Sequence, residues 1–242
     1  MSDSSPTLVF IHYFGGAARS WQWVTNQLSD QYQCVTLDLP GFGGTPPLEE
    51  PSVEAFARYV REETDRQGLA SYTLLGHSMG GKIAVQVAAN DTEGRVERLI
   101  LIAPSPPTIE SMPQEEKERM LHHTDRGEAE TTVKGATQRS LASEQRALAV
   151  ETQLEIEEAT WRWWLLDGMD HSIADQVDRI HVPITVLASD DDPVITPEAI
   201  RQEVMAMLPG AELVQTRGIG HLLPLEDPNW VAKQIRRALV QE

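Results

Sequence analysis

Leu8-Val9-Phe10-Ile11 is apolar at every position, without the alternation a half-solvated strand would carry. A run this short and uniform suits a strand covered on both faces, and such strands belong to parallel sheets flanked by helices. Further strand candidates, mostly apolar, are Cys34–Leu37, Tyr72–Leu75, Leu99–Ala103, Ile184–Ala188 and Ala211–Gln215. Helical signals fall between these runs. Val53, Phe56, Ala57 and Val60 sit at helical spacing behind Ser52, a good N-cap, and Gly68 closes that segment. Ala84–Ala89, Pro197 to about Leu208, and Asn229–Val240 supply further helices. Strands alternating with helices over short connections predict an α/β chain with a doubly wound, mostly parallel sheet.

The stretch from Pro106 to His181 breaks the rhythm. It is rich in Glu, Gln, Arg and Ala, carries no strand signal, and reads as several helices. The expected organisation is one core formed by residues 1–105 and 182–242, with a helical insertion at 106–181. A chain of 242 residues fits one α/β domain of this kind, and 40% hydrophobic with 24% charged residues excludes wholesale disorder.

A formal net charge of −17 makes the general surface repel phosphates and anionic headgroups, so neither nucleic acid nor membrane is an expected partner. No apolar run approaches the roughly 18 residues of a membrane span, and the opening MSDSSPTLVF lacks a basic leader segment. The expected compartment is the cytoplasm. Cys34 is the single cysteine, which excludes an internal disulfide. With no HExxH, CxxC or Cys/His cluster, no metal and no cofactor are expected. Oligomeric state has no signal in the sequence.

Gly76-His77-Ser78-Met79-Gly80 fits GxSxG at the junction of an apolar strand and a helix. That junction is the context of a nucleophile elbow, where flanking glycines permit a strained turn that lifts the serine hydroxyl above the sheet edge. A hydroxyl needs a base to become a nucleophile. Of seven histidines, His221 follows the sixth strand and returns to the carboxyl edge where Ser78 sits. His77 lies inside the elbow and points away, and His12 belongs to the first loop. His122, His123, His171 and His181 lie in or beside the insertion. A carboxylate must then orient the imidazole, and Asp190, Asp191 and Asp192 all follow the fifth strand at the same edge. The chain order Ser, Asp, His matches the elbow arrangement. An oxyanion hole requires two donors: the backbone N–H of Met79, and a second near Phe14, where Gly15 and Gly16 let the backbone approach a substrate.

These segments together resemble the α/β-hydrolase superfamily, in its capped serine hydrolase or esterase form. His12–Gly16 is similar to its oxyanion loop, Asp38–Thr45 to its D-x-P-G-x-G turn, and Gly76–Gly81 to its elbow. Ser189–Pro197 is similar to the acid loop, and Gly218–Pro228 to the histidine loop. The resemblance implies Ser78 as nucleophile, His221 as base, Asp192 as the acid, and Phe14 and Met79 as oxyanion donors. It also implies that the insertion is a cap and that the family's first hairpin is missing. Tyr13 departs from the pattern by replacing a glycine. Asp38 is expected to serve the turn structurally.

Trp161, Trp163 and Trp164 stand in the insertion, and Trp21 and Trp23 follow the first loop. Most are expected to pack, with Trp161, Trp164 and Tyr13 the candidates for lining an apolar substrate pocket. Arg162 is expected on a solvated helix face. The expected activity is hydrolysis of carboxylic esters or lactones of small apolar molecules through an acyl-enzyme. Thioester or C–C bond hydrolysis, perhydrolysis, acid/base lyase chemistry and a ligand receptor on the same fold are the alternatives. Ser78 excludes an aspartate nucleophile.

Overall fold

The computed structural model describes residues 5–122 and 125–240; His123 lies outside them. Six strands form one sheet: β1 (Thr7–Ile11), β2 (Gln33–Leu37), β3 (Tyr72–His77), β4 (Val96–Ile102), β5 (Ile184–Ser189) and β6 (Glu212–Thr216). Their order is β2-β1-β3-β4-β5-β6, and each pairing is parallel. All six residues of β3 are buried, whereas the edge strands β2 and β6 are half-exposed. The uniform apolar runs therefore mark the centre of the sheet.

Alternate residues serve opposite faces. Val9, Ile11, Leu74, Leu99, Leu101 and Val186 pack beneath α2 (Val53–Arg66) and α3 (Met79–Ala89). Leu8, Phe10, Leu75, Ile100, Ile102 and Leu187 pack against α1 (Gln22–Leu28) and α10 (Pro228–Val240). Ser52 caps α2 by accepting the Ala55 N–H at 3.1 Å. Every residue of α3 is buried, including Lys82 and Gln86.

Between β4 and β5 lie α4 (Gln114–Leu121), α5 (Arg126–Gly135), α6 (Ser143–Leu154) and α7 (Glu158–Trp163), with no strand among the described residues. The sheet order brings the loops after β1, β3, β5 and β6 to one edge. The segment expected as a continuous helix from Pro197 instead opens as a short α8 (Pro197–Ala199) and widens into a π turn over Ile200–Met205. Two elements escape the sequence reading. One is α1 with its preceding 3-10 turn, where Trp21, Val24 and Leu28 are buried at helical spacing. The other is the single-turn α9 (Leu223–Glu226).

Candidate active site

Ser78 links β3 to α3 with φ 54° and ψ −120°, a left-handed conformation that costs a non-glycine residue energy. Its backbone is held from several sides. The Ser78 N–H donates to Ile102 O at 3.0 Å, and Ser78 O accepts from Gly81 at 2.7 Å and Ser105 at 3.0 Å. The glycines make this turn possible. A Cβ on Gly80 would lie 2.5 Å from His12 O, and one on Gly81 would lie 2.6 Å from Pro104 Cβ. Helix α3 can approach the sheet only where these side chains are absent.

His221 Nε2 stands 2.9 Å from Ser78 Oγ, and its Nδ1 stands 2.9 Å from Asp192 Oδ2. All three groups are buried. Asp192 Oδ1 accepts the N–H groups of Val194 at 2.8 Å and Ile195 at 3.0 Å, which aims the other oxygen at the imidazole. The neighbouring acids do different work. Asp190 accepts from Gln215 and Arg217, and Asp191 accepts the Gly218 N–H at 2.6 Å. Both tie the acid loop to the end of β6.

Burial opposes protonation of His221, but the carboxylate of Asp192 outweighs it, with Glu110 and Glu226 adding to the pull. The imidazole pKa is held above its usual value near 6.5. His77 behaves oppositely: burial, and then His221, push its pKa well down. Its neutral Nε2 donates to the His221 carbonyl at 2.8 Å. His12 is also buried and lowered to about 4, and spans Tyr13 O and the Leu39 N–H. Both histidines brace loops. His122, His171 and His181 are exposed.

A cavity of about 490 Å³ opens over Ser78 and His221, walled by Tyr13, Phe14, Trp161 and Trp164. Trp161 stacks on Phe14 at 4.4 Å and donates its indole N–H to Met120 O at 2.8 Å. Trp163 faces away and stacks on Phe56 at 4.8 Å, while Trp21 packs on Phe10 at 5.1 Å. Trp23 is half-buried against the cluster that includes Tyr13, and Arg162 is exposed. A larger groove of about 650 Å³ runs past Arg162 and Trp163 but holds neither Ser78 nor His221.

Gly15 and Gly16 make room for a neighbouring side chain. The Tyr13 ring lies over them, and a Cβ on Gly16 would sit 2.6 Å from it. Tyr13 thus occupies, with its ring, the space that glycines at 15 and 16 leave open. Met79 is the first residue of α3, so its N–H has no intrahelical acceptor. Among the hydrogen bonds of the described residues none engages the Phe14 N–H. Asp38 accepts the Ala18 N–H at 2.7 Å, which pins the turn after β1.

Three further sets of contacts brace the surroundings of the site. The Ala136 carbonyl accepts the His221 backbone N–H at 2.8 Å. Glu226 accepts N–H groups from Gly220, Gln138 and Arg139, joining the histidine loop to the insertion. Lys82 is fully buried and donates to the carbonyls of Thr108, Met169 and His171. Burial lowers the Lys82 pKa to about 8 against the pull of Glu110 and Asp170. No group of three His, Cys, Asp or Glu is placed to hold a metal ion among the described residues. Nor is any helix of those residues long and apolar enough to cross a membrane.

The sequence is 38% identical over 99 residues to the dihydrolipoyllysine-residue acetyltransferase component of the acetoin cleaving system of Cupriavidus necator, covering 40% of this chain and 26% of that one. It is 37% identical over 99 residues to a pimeloyl-[acyl-carrier protein] methyl ester esterase of Klebsiella pneumoniae, covering 41% of this chain and 37% of that one. The matched stretches thus span between about a quarter and two fifths of those relatives' lengths. An esterase from Exiguobacterium antarcticum shares the fold at a TM-score of 0.88 and 18% identity, over 98% of this chain and 93% of that one. The model of the alpha/beta hydrolase family matches residues 8–234. The chain belongs to the alpha/beta hydrolase family.

Proposed function

We propose that the protein is a serine hydrolase of carboxylic esters or lactones, working through an acyl-enzyme on Ser78, His221 and Asp192. The observation that carries this reading is the 2.9 Å approach of His221 Nε2 to Ser78 Oγ at a strained strand-to-helix turn. The esterase named among its relatives and the esterase that shares its fold add support.

Ser78 Oγ attacks the acyl carbon while its proton passes to His221 Nε2. The imidazolium is stabilised by Asp192, hydrogen-bonded at Nδ1. The carbonyl oxygen becomes an oxyanion, for which the backbone N–H groups of Phe14 and Met79 are the proposed donors. Collapse breaks the ester C–O bond, and His221 returns the proton to the departing alcohol. Water, deprotonated by His221, then attacks the acyl-enzyme, releases the acid and restores Ser78.

Residues 106–181 are read as a cap over this site, supported by the contacts of Ala136, Gln138 and Arg139 with the histidine loop. The walls from Phe14, Trp161 and Trp164 suit small substrates with an apolar part. The test is hydrolysis of p-nitrophenyl butyrate: Ser78→Ala lowers turnover by up to about 10⁶-fold. Retained turnover in that variant would refute the reading.

A further inference from the structure

Glu110 lies in the connection after β4 and is buried, with about 7% of its surface exposed. It lines the same cavity as Ser78 and His221. Among the described residues its Oε2 makes no hydrogen bond of good geometry, although the Ser105 hydroxyl, likewise without one, stands close enough to lower its pKa. Gln153 repeats the pattern on the insertion side: it is buried, lines the cavity, and leaves Nε2 unpartnered. Buried polar groups in folded proteins are almost always paired, so Glu110 and Gln153, with the Tyr13 hydroxyl also unpaired in the same wall, call for an explanation. Neither Glu110 nor Gln153 serves the fold through a hydrogen bond at these atoms, and an apolar residue at 110 would avoid the penalty altogether.

The electrostatics narrow the partner. Burial raises the Glu110 pKa and Asp192 adds to the rise, while Ser105, Lys82 and His221 pull the other way with less effect. The balance raises the Glu110 pKa: its carboxylate accepts hydrogen bonds, and its acid form adds one O–H donor. Gln153 Nε2 offers a second donor. A substrate hydroxyl pairs with Glu110 in either form, and an oxygen acceptor pairs with Gln153 Nε2.

We propose that Glu110 is a specificity-determining residue that hydrogen-bonds a second oxygen function, a hydroxyl or carbonyl, carried by the substrate beside its scissile ester. The assignment rests on the reading that esters enter this cavity. The favoured substrates are then oxygenated esters, because a plain hydrocarbon chain leaves Glu110 and Gln153 unpaired in the complex.

Ethyl butyrate, ethyl 3-hydroxybutyrate and 2-hydroxyethyl butyrate, followed by acid release, provide the test in wild type, Glu110→Gln and Glu110→Leu. At least one hydroxylated ester exceeds ethyl butyrate by about tenfold or more in kcat/KM in the wild type. Glu110→Gln keeps most of that ratio, and Glu110→Leu brings it near one. No preference in the wild type, or a ratio that survives Glu110→Leu, overturns the proposal. A structural role would lower Tm in Glu110→Leu and leave the ratio unchanged, which also overturns it. Binding of the same esters to Ser78→Ala, read by tryptophan emission, separates the two readings. Tighter binding of the hydroxylated ester without wild-type turnover refutes the hydrolase reading alone. Turnover and binding without preference refute the role of Glu110 alone.

Discussion

Gly80→Ala sets two physical effects against each other at one atom. Position 80 is the second residue of α3, and helix propensity alone favours alanine over glycine by about 1 kcal/mol. The added Cβ would lie 2.5 Å from His12 O and 2.7 Å from Ile11 O, where 3.4 Å begins ordinary contact. The shortfall at His12 O is thus about 0.9 Å, and both obstacles are backbone at the end of β1. Neither can swing aside as a flexible side chain would. Overpacking of this kind costs about 1–3 kcal/mol, and immovable partners place it near the top of that range. Net of propensity, about 2 kcal/mol is lost, or roughly 4–8 °C in Tm for a chain of this size. Gly210→Ala is the control, since a Cβ there meets nothing within 4 Å. Thermal unfolding by circular dichroism reads both. A Gly80→Ala Tm within about 1 °C of that of Gly210→Ala would refute the claim that glycine at 80 is required for α3 to close on the sheet.

Asp192→Asn leaves the shape of the acid loop intact but removes the charge facing His221, and is expected to lower turnover by about 10⁴-fold. Asp190→Asn, whose carboxylate faces Gln215 and Arg217, is expected to change turnover little; the same ester assay compares them. The base must be neutral to accept the Ser78 proton, and its pKa is raised, so kcat/KM falls on acidification through a midpoint above 6.5. A pH–rate profile with its acid limb below that value would contradict the assignment of His221. Lys82→Met takes the donor from the carbonyls of Thr108 and His171, while Met169 O keeps the Glu110 N–H. A loss of about 1–3 kcal/mol is expected, with earlier proteolysis of the 106–181 segment than in the wild type.

The parts that were readable in the sequence are those whose physics is local. Leu8–Ile11 is apolar throughout, and Tyr72–Leu75 all but Thr73, because they lie in the middle of the sheet, so composition alone reveals their burial. The elbow is readable because a strained serine between strand and helix needs glycines at fixed offsets. Asp192 differs from Asp190 and Asp191 in facing its own next two residues but one, Val194 and Ile195, whose N–H groups orient it; the triple aspartate itself carries no such distinction. Other features depend on which segments meet. Glu110 stands shortly before Glu115, Glu116 and Glu118 in a charged stretch, and no local pattern separates a buried carboxyl from a solvated one there. The clamp of Ala136 and Glu226 on the histidine loop joins residues about 85–90 positions apart. Helix α1 is only seven residues long, although the spacing of Trp21, Val24 and Leu28 carried its signal.

The central claim is that Ser78 becomes nucleophilic because His221 takes its proton. Labelling with a fluorophosphonate, followed by mass spectrometry of the digested protein, tests this most directly. One adduct on the peptide carrying Ser78 is expected, formed quickly in the wild type and severely slowed in His221→Ala. Labelling at another residue, or equal labelling rates with and without His221, would contradict the account.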